Sequence, residues 1–116
     1  MIEAQWGRVI TISSEAGRTG LNIGVSIYGA AKAAAINFMR HLSQEVGEHH
    51  ITANSIALGL MNNVPEEFTS KMIRGIPAGR LGTPEDAASA VIYLASKEAE
   101  WINGQILSAN GGSLTF

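Results

Sequence analysis

The sequence predicts an α/β fold built on a parallel sheet of about three strands. Two observations carry that prediction. Short β-branched, apolar runs alternate with longer Ala-rich or amphipathic runs, in the order strand, helix, strand, helix, strand. Strands joined through helices pair in parallel through crossovers, not as hairpins. The strand runs are also continuously apolar instead of alternating, as expected where a sheet is covered on both faces.

Each element follows from local chemistry. Arg8-Val9-Ile10-Thr11-Ile12-Ser13-Ser14 is a β-branched run entered from Gly7 and left through polar residues with Gly17 and Gly20. From about Ser26 to Val46, Ala31, Ala35, Phe38, Met39, Leu42 and Val46 recur at helical spacing, which predicts a long helix ended by Gly47 as its cap. Ile51 to Ala57 reads as the second strand. The stretch around Gly59, Asn62, Asn63 and Pro65 reads as a loop, with a short helix from Glu66 to Arg74. Gly82-Thr83-Pro84-Glu85-Asp86 is helix-start chemistry: an N-cap hydroxyl, a proline at the first helical position and acids at the positive helix end. That helix is expected to reach about Ser96. Gly104 to Ala109 is the third strand, and Asn110-Gly111-Gly112 turns the chain away.

Handedness poses a difficulty. If both crossovers are right-handed and the strands add in sequence order, both helices fall on one face, leaving the other face of an apolar sheet bare.

At 116 residues the chain is one domain, 1–116, with no repeat, linker or low-complexity tract. Its 46 % hydrophobic and 16 % charged residues exclude a disordered or collagen-like chain. The formal charge of −2, without a basic block interleaved with aromatics, gives no support to a nucleic-acid partner. Cysteine is absent, which excludes disulfides, thiolate nucleophiles and zinc-thiolate sites. No apolar run reaches the roughly 18 residues of a membrane span, and the first residues lack signal-peptide character, so a cytoplasmic protein without membrane partners is expected.

Ligands of open parallel sheets bind outside the carboxyl ends of the strands. Ser13 and Ser14 close the first strand there, in a role that is either structural or chemical. Tyr28 and Lys32 lie four apart at the start of the long helix, on one face and about one turn apart. A cation beside a phenol favours the phenolate and suits it to proton transfer; an isolated pair of this kind is equally an aromatic packed on a lysine stem. Gly59 and the Asn62-Asn63 pair follow the second strand, where amides either bind a carboxamide or carbonyl or simply form a turn. His41, His49 and His50 are not spaced with other ligands as a metal site.

Taken together the constellation resembles the short-chain dehydrogenase/reductase family, nearly end to end. Gly7 to Ser14 is similar to the family's catalytic-serine strand, Tyr28-Gly29-Ala30-Ala31-Lys32 to its Tyr-x-x-x-Lys, and Asn54-Ser55-Ile56 to the strand before its Pro-Gly turn. Gly79 to Asp86, and Ile102-Asn103-Gly104-Gln105 through Asn110-Gly111-Gly112, are similar to the carboxyl-terminal segments of 3-oxoacyl-carrier-protein-reductase-like members.

The resemblance implies a truncated Rossmann-like sheet whose last crossover is left-handed, so that helices cover both faces. It also implies an oxidoreductase acting on a carbonyl or secondary alcohol with NAD or NADP. Ser14 would hold the substrate carbonyl, Tyr28 would transfer the proton, and Lys32 would bind the nicotinamide ribose and tune Tyr28. Tyr28, Lys32, Gly59 and Asn63 would contact the cofactor. The family's amino-terminal half, with its Gly-rich pyrophosphate turn, has no counterpart in this sequence; Leu58 stands at the proline of Pro-Gly and Asn63 where a threonine is common.

Two other readings use the same residues. One is a cofactor-independent esterase or hydrolase with Ser14 as nucleophile and Tyr28 and Lys32 as its base, acting on an ester. Against it, Gly24-Val25-Ser26-Ile27-Tyr28 is not a nucleophile elbow. The other is a non-catalytic remnant. A bare first-strand edge and helix flank would in either case favour a homo-oligomer.

Overall fold

The computed structural model describes residues 1–115. Strands β1 (Gly7–Ser14), β2 (Ile51–Leu58) and β3 (Ile106–Ala109) form one parallel sheet in the order β1-β2-β3. Helices α1 (Ser26–Val46), α2 (Glu66–Ile73) and α3 (Pro84–Ala95) lie between them, with 3-10 turns at Glu15–Gly17 and Gly47–His49. The predicted elements are all present, with the third strand starting at Ile106 instead of Gly104.

β2 is the centre of the sheet, and residues 51 to 57 are buried without a break, as its unalternating apolar and small side chains require. β1 and β3 are edges in this chain, and the same β-branched composition leaves Ile12 43 % exposed.

The two faces are covered by different helices. On one, the Ser13 hydroxyl donates to the Lys32 carbonyl of α1 at 3.1 Å. On the other, Ile56, Leu94 and Ala99 form a buried cluster with Ile10, Leu58, Ala90 and Val91 packed around it. Strand alternation puts Ser13 and Ile10 on opposite faces, so α1, sheet and α3 make three layers. With strands in sequence order and helices on opposite faces, the two crossovers have opposite hands, as the resemblance implies. The handedness difficulty is thereby resolved by one left-handed connection, an exception to the usual rule.

Thr83 caps α3 as expected. Asp86 Oδ2 accepts from the Thr83 backbone N–H at 2.8 Å, Thr83 Oγ1 accepts from that of Asp86, and Pro84 opens the helix. The end of α1 differs from expectation. Gly47 keeps right-handed helical angles and leads into a 3-10 turn; the left-handed position falls on His50 (φ 57°), whose N–H donates to the Gly47 carbonyl at 3.1 Å. The apolar line predicted for α1 also divides. Met39 is buried with Ile36 and Ser43, whereas Phe38 is 64 % exposed.

Two amides, the buried Asn54 and the half-buried Asn103, fix the approach to β3. Asn54 donates to the Ile102 carbonyl at 2.7 Å and accepts from the Gln105 N–H at 2.9 Å. Asn103 accepts from the Ala53 N–H at 2.8 Å and donates to the Ser43 carbonyl at 3.0 Å. Each amide thus uses both ends, joining β2, α1 and the loop before β3.

Candidate functional site

The carboxyl ends of the strands converge as the sheet register dictates: Ser14 lies opposite Leu58, and Leu58 opposite Ala109. Ser14 Oγ accepts from the Ala16 N–H at 3.2 Å and so caps the 3-10 turn that follows β1. Accepting that bond leaves its O–H as a donor.

The first turns of α1 are locked onto this strand end by two bonds running in opposite directions. Ser13 donates to the Lys32 carbonyl, and Lys32 Nζ donates back to the Ile12 carbonyl at 3.1 Å. Lys32 Nζ also sits 5.6 Å from the centroid of the Tyr28 ring, over its face. Tyr28 itself is 48 % exposed, and its hydroxyl has no protein partner among the described residues. Helical spacing thus brings the two side chains together on one face of α1, and Lys32 ties them to β1 near its end.

Two glycines permit that approach, a signal that sequence reasoning missed. A Cβ at Gly29 would lie 2.7 Å from the Ala16 carbonyl oxygen, and one at Gly17 would lie 2.8 Å from the Lys32 backbone. Only hydrogen at both positions lets the Ser14 turn pack against the Tyr28–Lys32 turn.

A second missed group closes the site from the other end of the chain. Glu15 Oε1 accepts from Asn110 Nδ2 at 2.6 Å and from Ser113 Oγ at 2.8 Å. Arg18 donates to the Ser108 hydroxyl beside them. In the sequence, Asn110-Gly111-Gly112 reads as a turn and as part of the family's carboxyl-terminal segment, with no sign of this contact.

Gly59 and Asn63 are placed differently from Tyr28 and Lys32. A Cβ on Gly59 would lie 2.8 Å from Asn110 Cα, so packing by itself explains the glycine. Asn63 is exposed, and its loop is tied to Gly82 by Asn62 N–H to Gly82 O (2.8 Å) and Gly82 N–H to Leu60 O (2.9 Å). Nearby, a cavity of about 400 Å³ at the end of β3 is lined by Leu60, Arg80, Asp86, Ser108 and Asn110. Another, of about 380 Å³, lies between the loop at Arg18–Leu21 and Ser26, Gly29 and Ala33 of α1. Neither is lined by Ser14, Tyr28 or Lys32.

The strongest charge interaction at this edge is the two-pronged bond of Arg80 to Asp86, at 2.6 and 2.9 Å. The guanidinium first, and the Thr83 N–H second, hold the Asp86 carboxyl well below the ordinary carboxylate range. Of the histidines, His49 meets Gln5 at 3.2 Å and Glu48 at 3.7 Å, and His41 and His50 are exposed. No helix among the described residues is long and apolar enough to cross a membrane.

Comparison with known proteins agrees with this geometry. Residues 1–113 match the model of a family described as enoyl-(acyl carrier protein) reductase. Among curated proteins, the 3-oxoacyl-(acyl-carrier-protein) reductase FabG of Chlamydia muridarum is 40 % identical over 97 % of this chain and 47 % of its own length. That of Vibrio harveyi is 38 % identical over 97 % of this chain and 48 % of its own. The crystal structure of a 3-oxoacyl-(acyl-carrier protein) reductase from Brucella melitensis superposes with a TM-score of 0.91 at 32 % identity, covering 99 % of this chain and 45 % of that one. The chain spans about half the length of the relatives it matches. With the family model matched over nearly all its residues, the three-layered parallel fold and the Tyr28–Lys32 turn seated on the serine strand, the chain belongs to the short-chain dehydrogenase/reductase family.

Proposed function

We propose that this chain carries the proton-transfer half of a carbonyl-reducing site, with a 3-oxoacyl thioester as substrate class and NAD(P)H as reductant. The observation supporting this most directly is the Lys32 side chain, which joins the Tyr28 ring to the end of the strand that Ser14 closes.

In this reading the free O–H of Ser14 donates to the substrate carbonyl oxygen and orients it. Tyr28, half-exposed and with no protein partner for its hydroxyl among the described residues, gives its phenolic proton to that oxygen as the carbonyl becomes an alcohol. Lys32 supplies positive charge over the face of the ring from which the proton departs.

The residues present fit the nicotinamide-ribose end of the reductant. One Lys32 N–H is spent on Ile12 O, leaving two of its three donors for a ribose diol. Gly59 and Asn63 would flank the carboxamide. When bound, the dinucleotide supplies the hydride.

The chain is also proposed to act as a homo-oligomer. Its 7446 Å² of accessible surface exceeds the roughly 6,000 Å² of a compact monomer of this mass. The excess includes the exposed β1 edge and Ile27, 89 % exposed, with Phe38 on α1. Such surface is normally covered.

The test is consumption of NADPH by the purified chain with a 3-oxoacyl thioester. Tyr28→Phe is expected to lower the rate by about 10²–10⁴. Absence of cofactor binding at millimolar NADH and NADPH would overturn activity for this chain on its own.

A further inference from the structure

An asparagine followed by glycine readily loses its side-chain amide, because glycine has no Cβ to hinder its own backbone nitrogen from attacking the asparagine Cγ. The chain holds two such pairs, Asn103-Gly104 and Asn110-Gly111, one on either side of β3. Both glycines have left-handed angles, φ 70° and 62°. Their hydrogen bonds set the two pairs apart.

At Asn103 the reacting groups are held apart. The Gly104 N–H donates to the Ala53 carbonyl at 3.0 Å, which commits that nitrogen to β2. Both ends of the Asn103 amide are drawn towards other elements, Oδ1 to the Ala53 N–H and Nδ2 to the Ser43 carbonyl. At Asn110 the arrangement is the reverse. The Gly111 N–H has no acceptor among the described residues. Asn110 Oδ1 accepts from the Gly112 N–H at 3.0 Å, which bends the side chain back over the peptide bond joining Asn110 to Gly111. That N–H is also aimed at the oxygen on which negative charge gathers when the Gly111 nitrogen adds to Cγ. Asn110 is half-buried, but Gly111 and Gly112 are exposed, so water reaches the turn.

We infer that Asn110 is a site of spontaneous deamidation in the folded chain, and that the fold protects Asn103 from the same reaction. The Gly111 nitrogen gives its hydrogen to a solvent base and bonds to Asn110 Cγ. The Cγ–Nδ2 bond breaks, and Nδ2 leaves as ammonia after taking one proton from water. Water then opens the five-membered imide, leaving aspartate or isoaspartate at this position; no oxidant or reductant takes part. The product inverts the clamp on Glu15. Where Nδ2 donates to Glu15 Oε1 at 2.6 Å and to the Leu114 carbonyl at 2.8 Å, a second carboxylate would face two acceptors, one of them charged. Like charges so close repel. The modification does not depend on the reductive reading of the neighbouring site.

The test incubates the purified 116-residue chain in mildly alkaline buffer, with and without enough urea to unfold it. Trypsin cleavage after Lys97 releases one peptide holding both asparagines, and fragmentation in the mass spectrometer assigns the mass gain to Asn103 or Asn110. In urea both should convert at similar rates, since each precedes glycine. Without urea Asn110 should convert while Asn103 stays intact. Native conversion of Asn103 at the rate of Asn110, or an Asn110 that survives natively as long as Asn103, would overturn the inference. Asn110→Asp reproduces the product and should melt several degrees below the parent. Adding Glu15→Gln to it should restore part of the loss, because the glutamine nitrogen then donates to the new carboxylate. A double variant that melts no higher than Asn110→Asp would overturn the inverted clamp as the consequence of the modification.

Discussion

Asn110 donates through Nδ2 to the Glu15 carboxylate at 2.6 Å, across 95 positions of sequence. The same amide nitrogen donates to the Leu114 carbonyl at 2.8 Å, and Asn110 Oδ1 accepts from the Gly112 N–H at 3.0 Å. One side chain therefore folds the segment after β3 into a tight turn and ties it to the residue next to Ser14.

Asn110→Ala should consequently act twice. Loss of a hydrogen bond to a charged acceptor costs about 1.5–3 kcal/mol, readable as a lower urea midpoint. Because Glu15 heads the turn that Ser14 caps, any reductase activity should fall further than the lost stability explains, when measured well below that midpoint. An activity equal to the parent's would show that the turn holds its place without Asn110.

The adjacent serines should separate cleanly. Ser13 is 3 % exposed, and its hydroxyl is committed to the Lys32 carbonyl, so Ser13→Ala should cost about 1 kcal/mol of stability. Ser14 caps only a three-residue turn. Ser14→Ala should cost less stability but abolish carbonyl reduction, and equal activity losses in the two variants would argue against Ser14 as the carbonyl donor.

These residues also mark what a sequence can and cannot disclose. Local chemistry was readable: the Thr83-Pro84-Asp86 helix start and the Tyr28–Lys32 spacing need no knowledge of the rest of the chain. Partnerships across the chain were not. Nothing within a few residues of Glu15 signals Asn110, and neither the strand run around Asn54 nor the segment around Asn103 discloses the partners that the sheet brings within 3.0 Å. Glycine misled for a related reason: Gly47 has cap composition, yet the left-handed angle went to His50, three residues on, because the chain tightens into a 3-10 turn first. Spacing places Phe38 on the apolar face of α1, but the buried line of the helix runs through Ile36, Met39 and Ser43.

Gly59→Ala tests whether packing or ligand contact explains that glycine. The new methyl would lie 2.8 Å from Asn110 Cα and 2.9 Å from its Cβ, atoms that cannot move without shifting the clamp on Glu15. Overpacking of this kind costs about 1–3 kcal/mol. The variant should melt lower in the absence of any cofactor; an unchanged melting temperature would mean that the close approach relaxes freely.

Acid should weaken the α3 start through Asp86. Its carboxyl is held below the ordinary carboxylate range by the Arg80 guanidinium and then by the Thr83 N–H, so the folded state binds its proton less readily than the unfolded chain. A depressed carboxylate stabilises the fold fully at pH values above the unfolded pKa, near 3.9, and the contribution drains away as pH falls through that value towards the lower folded one. The difference in melting temperature between the parent and Asp86→Asn isolates this effect from the other carboxylates. It should be positive and level from neutral pH to about pH 5, then shrink steadily on further acidification. Arg80→Ala should reduce the difference at neutral pH, since it removes both prongs of the bond but leaves the Thr83 contact. A difference that stayed constant into strong acid would mean that the Asp86 charge contributes nothing to stability.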